Sequence, residues 1–126
     1  MVEGKRVAVV VPAYNEEHLV AETLAGIPDF VDRIYVVDDA SPDATAQRAR
    51  DAADARTEVL VHDKNGGVGA AIVTGYERAR DEAIDVTCVM AADNQMDPAE
   101  LIGLDGTSRT RALITFRWTR MSFGKP

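Results

Sequence analysis

Four polar clusters carry the side chains with chemical potential in this sequence, and each follows an apolar run. Asp93-Asn94-Gln95-Met96-Asp97-Pro98 places hard oxygen ligands on a short segment after Val86 to Ala91. Such ligands suit Mg²⁺ or Mn²⁺ shared with phosphates, and Asp93 and Gln95 are the candidate ligands. Asp97 with Pro98 also reads as a helix N-cap with proline at the first helical position, and the two roles are compatible. Asp38-Asp39 puts two carboxylates in succession after a Val-rich run, an arrangement that calls for hydrogen-bond donors or a cation. Base and ribose donors would serve; a capped turn with Asp39 in solvent is the plainer alternative. In Pro12-Ala13-Tyr14-Asn15-Glu16, Tyr14 offers a flat face to a base and Glu16 or Asn15 an acceptor to hydroxyls, unless these residues simply cap a helix. Gly66-Gly67-Val68-Gly69 opens a helical pattern, so the amides of Gly67 and Gly69 could face a diphosphate, or the glycines could serve tight helix–strand packing.

Several competing motifs are excluded by position. The glycine cluster follows the third apolar run instead of the first, has Ile72 where a dinucleotide fingerprint needs its third glycine, and lacks the Lys-Ser/Thr of a phosphate-binding loop. A phosphorelay receiver would carry its acidic pair after the first strand, and here the pair follows the second. A sugar nucleotidylyltransferase would want a basic, Gly-rich loop where this chain has Ala-Tyr-Asn-Glu. His18, His62 and Cys88 have no partner at ligand or triad spacing and read as structural or surface residues.

The elements that must hold these clusters alternate strand and helix. Val7 to Val11, ending at Pro12, is continuously apolar and β-branched, as a strand buried on both faces should be. Leu19, Val20, Thr23, Leu24 and Ile27 recur at helical spacing from Glu16 to Ile27 before Pro28. Arg33 to Asp38 reads as a second strand, and Ser41-Pro42-Asp43 as the N-cap and first turn of a helix reaching about Ala53. Thr57 to His62 is a third strand, a helix follows the glycine turn to Ala83, and Val86 to Ala91 is a fourth strand. This βαβαβαβ order implies an α/β fold, a mostly parallel sheet with helices on both faces and its ligand at the strands' carboxyl ends.

The chain has 126 residues, 46% apolar and 28% charged, enough for one modest core. Its net charge of −7 disfavours nucleic acid and anionic lipid, so a phosphate ligand would need a cation. One cysteine permits no internal disulfide, and the opening apolar stretch is too short for a signal peptide or membrane span, which points to the cytoplasm. The charge is uneven: residues 1–100 hold 9 Lys and Arg against 20 Asp and Glu, a balance of −11, whereas residues 101–126 hold 5 against 1, a balance of +4. The expected division is therefore an α/β domain over 1–104 and an atypical basic tail over 105–126, truncated or unrelated in origin and loosely docked. Alternation in Ile114-Thr115-Phe116-Arg117-Trp118-Thr119 does permit one strand at a sheet edge.

Taken together, PAYNE, VVDDASPD, NGGVGAA and ADNQMDPAEL, in this order, resemble the large inverting glycosyltransferase family that includes dolichyl- and polyprenyl-phosphate sugar transferases. The resemblance covers roughly residues 5–103 and implies a Rossmann-like, nucleotide-diphospho-sugar transferase (GT-A) fold. It further implies a nucleoside-diphosphate sugar held by Pro12, Tyr14, Glu16, Asp38 and Asp39, and Mg²⁺ or Mn²⁺ held by Asp93 and Gln95. A lipid-phosphate acceptor and a peripheral position at the cytoplasmic membrane face follow from the same likeness. Many relatives have Asp-x-Asp where this chain has Ala91-Ala92-Asp93, so one metal carboxylate is missing. No catalytic residue is identified, and the acceptor-binding half of the family has no counterpart after Leu104. A non-catalytic nucleotide-sugar-binding remnant is thus the alternative to an active transferase.

Overall fold

The computed structural model describes residues 4–90 and the backbone of 115–117. Strands β1 (Val7–Ala13), β2 (Arg33–Asp38), β3 (Thr57–Val61) and β4 (Val86–Val89) are parallel, and β5 (Thr115–Arg117) pairs antiparallel with β4, giving the order β3-β2-β1-β4-β5. The short β5 lies within the alternating segment that the sequence marked as a possible edge strand. The four-stranded parallel sheet is the α/β fold expected.

Strand alternation builds two cores. Val7, Val9, Val11 and Ala13 pack with Ile34, Val36 and Cys88 against Val20 and Leu24 of α1 (Val20–Ala25) and Ala49 of α2 (Thr45–Ala52). Ala8 and Val10 pack with Tyr35, Val37 and Val89 against Ala71, Tyr76 and Ala79 of α3 (Val68–Asp81). Helix α3 lies close to β1 because Gly75 has no side chain: a Cβ there would sit 2.4 and 2.7 Å from the γ-carbons of Val10. The glycine needed for helix–strand packing is thus Gly75, inside the helix, not those at its start.

Pro12 lies within β1, opposite Val37, instead of ending it. Even-numbered residues of β1 bond toward β4, as Val10 O does by accepting from Met90 N at 2.9 Å, whereas Ala13 O accepts from Asp39 N on the β2 side. Because β4 ends at Val89, opposite Val10, the missing N–H of Pro12 costs the sheet no bond.

Helices α1 and α2 begin later than their sequence periodicity suggests. The backbone amides of Glu16 and Glu17 donate to Thr45 Oγ1 (2.9 Å) and Asp43 Oδ2 (3.4 Å) in the next loop, so this stretch forms turns ahead of Val20. Ser41 does not cap α2; Thr45 N donates instead to Asp43 Oδ1 at 3.0 Å as that helix starts.

Candidate functional site

The strand order reverses between β1 and β4, and in open α/β sheets the crevice outside the carboxyl ends at such a point is where ligands bind. Beside that point, at the carboxyl ends of β1 and β2 and against the start of α3, lies a cleft of about 210 Å³. Its walls are Pro12, Ala13, Tyr14 and Glu16 from the end of β1, Asp39 from the end of β2, and Val68 and Ala71 from the first turns of α3. Tyr14 is 46% exposed and Val68 64% exposed, so the mouth presents an aromatic and an apolar surface to solvent. The charged side chains in the walls, Glu16 and Asp39, are both acidic.

The successive carboxylates Asp38 and Asp39 find donors in different loops, because neighbouring residues of a strand face opposite sides of the sheet. Asp38 Oδ1 accepts from Ser41 N at 3.1 Å and from Ser41 Oγ. Ser41 Oγ in turn accepts from Asn15 N at 2.9 Å, tying the loop after β2 to the loop after β1. Asn15 (φ 59°) and Ala40 (φ 61°) both hold left-handed backbone at this junction, which costs free energy in residues other than glycine. Asp39 faces the start of α3. Its Oδ1 accepts from Gly66 N and its Oδ2 from Gly67 N, both at 2.8 Å, and His62 Nδ1 lies 2.8 Å from Oδ1. Gly67 adopts φ 92°, which an L side chain would strain. Burial, with Asp39 only 3% exposed, raises its pKa, but the hydrogen bonds from the Gly66 amide, His62 and the Gly67 amide outweigh it and leave the carboxyl below its ordinary 3.8.

The structure therefore brings Pro12, Tyr14, Glu16 and Asp39 to one cleft. Asp38 is adjacent, but its carboxylate serves Ser41. The amide of Gly67, expected to face a diphosphate, donates to Asp39 instead. A Cβ at Gly67 or Gly69 would meet no atom within 4 Å, so the space over the start of α3 stays open to a ligand. Asp93 and Gln95 lie outside the described residues, among which no group of three or more His, Cys, Asp or Glu side chains could hold a metal. Val68, Ala71 and His62 were not singled out as site residues by sequence. Parallel register supplies the missing signal for His62: Asp38 pairs with Val61, so the next residue of each strand lies side by side.

Residues 8–104 match the family described as Glycosyl transferase family 2. The chain belongs to that family. Among curated relatives of this family 2 chain, the undecaprenyl-phosphate mannosyltransferase of Micrococcus luteus is 35% identical over 113 residues, covering 86% of this chain and 46% of that protein. The dolichol-phosphate mannosyltransferase of Pyrococcus furiosus is 33% identical over 98 residues, covering 74% of this chain and 27% of that protein. The family 2 chain thus spans under half the length of these relatives. Among solved structures, a mycobacterial protein aligns with TM-score 0.67 at 25% identity, covering 82% of this chain and 36% of that one. Glucosyl-3-phosphoglycerate synthase of Mycobacterium tuberculosis, crystallised with Mn²⁺, UDP-glucose and phosphoglyceric acid, aligns with TM-score 0.64 at 24% identity, covering 82% and 39%. The architecture is that of GT-A glycosyltransferases.

Proposed function

We propose that this chain binds the nucleoside-diphosphate sugar of a glycosyltransferase that transfers the sugar, with inversion, to a polyprenyl phosphate. The observation that carries the reading is the cleft at the carboxyl ends of β1 and β2, walled by Tyr14, Val68, Glu16 and Asp39. An aromatic and an apolar surface suit the faces of a base, and two carboxylates suit the N–H and O–H donors of base and ribose. The same carboxylates repel a diphosphate, so its phosphates need a cation. A divalent cation held by Asp93 and Gln95 would neutralise the diphosphate as it leaves. The fold neighbour crystallised with Mn²⁺ and UDP-glucose supports a metal and a nucleotide of that kind. Gly67 and Gly69 leave room for the donor over α3, and Asp38 shapes the wall through Ser41. An acceptor oxygen displacing the nucleoside diphosphate in line inverts the anomeric carbon. A lipid phosphate is already anionic and needs little help from a base, and the names of the curated relatives support it as acceptor. No helix among the described residues is long and apolar enough to cross a membrane.

Calorimetric titration with UDP and GDP, with and without Mn²⁺, tests the reading. The wild-type chain should bind one nucleotide more tightly with metal, and Asp93→Ala should remove that increment while leaving the fold intact. Metal-dependent affinity unchanged in Asp93→Ala would remove Asp93 from the site. Turnover of a sugar donor with a polyprenyl-phosphate acceptor separates transferase from binding remnant.

A further inference from the structure

His62 stands just past the end of β3, and its ring spans the gap between β2 and α3. Nδ1 lies 2.8 Å from Asp39 Oδ1, and Nε2 lies 2.8 Å from Thr74 Oγ1. A carboxylate only accepts, so Nδ1 carries the proton toward Asp39 whatever the charge of the ring. The single proton of the Thr74 hydroxyl goes either to Nε2 or to Ala70 O, 3.1 Å away and one turn back along α3; in the second case the hydroxyl accepts from Nε2. His62 is mostly buried, with its side chain 19% exposed, and the Asp39 side chain is 4% exposed, so little water competes for these bonds.

Asp39 has few ways to be held. Its oxygens already accept from Gly66 N, Gly67 N and His62 Nδ1, and its own backbone carbonyl accepts from Asn65 Nδ2 at 3.2 Å. The two amides come from the turn that opens α3, so they move with that turn. The imidazole is the side-chain bridge to the body of the helix, through Thr74. We infer that His62 is a positioning residue for nucleoside recognition: braced by Thr74, it fixes the Asp39 carboxylate in the cleft wall without touching the ligand itself.

The inference rests on the proposed nucleotide site, and the variants separate the two. His62→Phe keeps the ring's bulk and loses both bonds, whereas His62→Asn can still donate an N–H to Asp39 from near the position of Nδ1. UDP affinity should fall about tenfold or more in His62→Phe, the size expected for losing a charge-assisted hydrogen bond at a site, and recover most of that in His62→Asn. Affinity for Mn²⁺-pyrophosphate, which does not use Asp39, should stay as in the wild type. A folded His62→Phe chain with unchanged UDP affinity overturns the inference. So does an equal loss for UDP and pyrophosphate, which marks a general loosening of the α3 turn. If His62→Phe does not fold, Thr74→Val carries the test: it keeps the imidazole but removes its brace, and unchanged UDP affinity there overturns the link. Should the wild-type chain bind no nucleotide, the proposed function fails, and positioning is read from hydrogen exchange at the Gly66 and Gly67 amides. Exchange should quicken in His62→Phe and return toward the wild-type rate in His62→Asn; equal rates in all three chains overturn it.

Discussion

The two ends of the sheet handle charge in opposite ways. At the amino ends of β2 and β3, Arg33 Nε donates to Glu82 Oε1 at 2.9 Å, Arg78 Nε donates to Glu58 Oε1 at 2.9 Å, and Arg78 Nη2 lies 3.1 Å from Glu82 Oε2. Tyr35 donates its hydroxyl to the same Glu82, and the Arg33 guanidinium lies 5.6 Å from the centroid of the Tyr35 ring. Two arginines answer two glutamates, and the network fastens the end of α3 to the sheet. Nearby, Arg56 donates to the carbonyls of Ile27, Pro28 and Val31, where the chain leaves α1 and approaches β2. At the carboxyl ends, Asp38, Asp39 and Asp43 are met by amides, hydroxyls and one imidazole, and no Lys or Arg stands among the described cleft walls. A closed ion network needs nothing further. Carboxylates held by neutral donors keep their negative potential, which a ligand's donors or a cation can use.

The largest test of this contrast removes the hub of the amino end. Glu82→Gln leaves Arg33 and Arg78 with Glu58 alone as charge partner and weakens the acceptor of the buried Tyr35 hydroxyl. A loss of about 2 kcal/mol in urea denaturation is expected, with nucleotide affinity unchanged. Asp39→Asn should do the reverse, weakening UDP binding about tenfold or more at a smaller cost in stability. If Glu82→Gln weakened UDP as much as Asp39→Asn, the two ends would not be separate devices.

Acid sharpens the comparison. The hydrogen bond from Tyr35, opposed by burial and joined by Arg33, holds Glu82 below its ordinary 4.5; Asp39, despite the opposing effect of burial, is held below 3.8 by the Gly66 amide, His62 and the Gly67 amide. Both pKa values are depressed in the folded state, so each contribution is fully present above those ordinary values and disappears as pH falls through the lower folded ones. Urea midpoints measured from pH 7 to pH 3 should fall on the acid side in the wild type and fall less steeply in Glu82→Gln. Equal acid limbs in the two chains would place the titrating load elsewhere.

What the sequence made legible follows from range. Strands β1 to β4 and α3 announced themselves through apolar runs and helical spacing, which are local signals, and the polar residues after β1 and β2 marked the edge where the cleft opens. The starts of α1 and α2 were misplaced because side chains of one loop, Thr45 and Asp43, take up amides of another, those of Glu16 and Glu17, a competition between segments almost thirty residues apart. Glycine roles were exchanged for a similar reason. The amide of Gly67, read as a diphosphate contact, donates to Asp39, and Gly75, unremarkable within its helix, is the close contact with Val10. His62 looked idle because its partner lies 23 positions earlier in the chain.

The smallest expected effect separates the two neighbouring aspartates. Asp38 and Asp39 look equivalent in sequence, and the family resemblance gives both to the nucleotide. In the fold, Asp38 Oδ1 accepts twice from Ser41, and Ser41 holds Asn15 N, so Asp38 reaches the cleft only through the loop that carries Tyr14 and Glu16. An asparagine at this position keeps an oxygen acceptor for Ser41 and loses only the charge, a difference of about 0.5–1 kcal/mol. Asp38→Asn should therefore destabilise the chain slightly and weaken uridine and UDP by no more than a fewfold, well short of Asp39→Asn. Ser41→Ala, which cuts the same link at its middle, should give a loss of similar size. Titrations of both nucleotides against all three variants decide it: a loss in Asp38→Asn as deep as that in Asp39→Asn, without a matching loss in Ser41→Ala, would put the Asp38 carboxylate on the ligand itself.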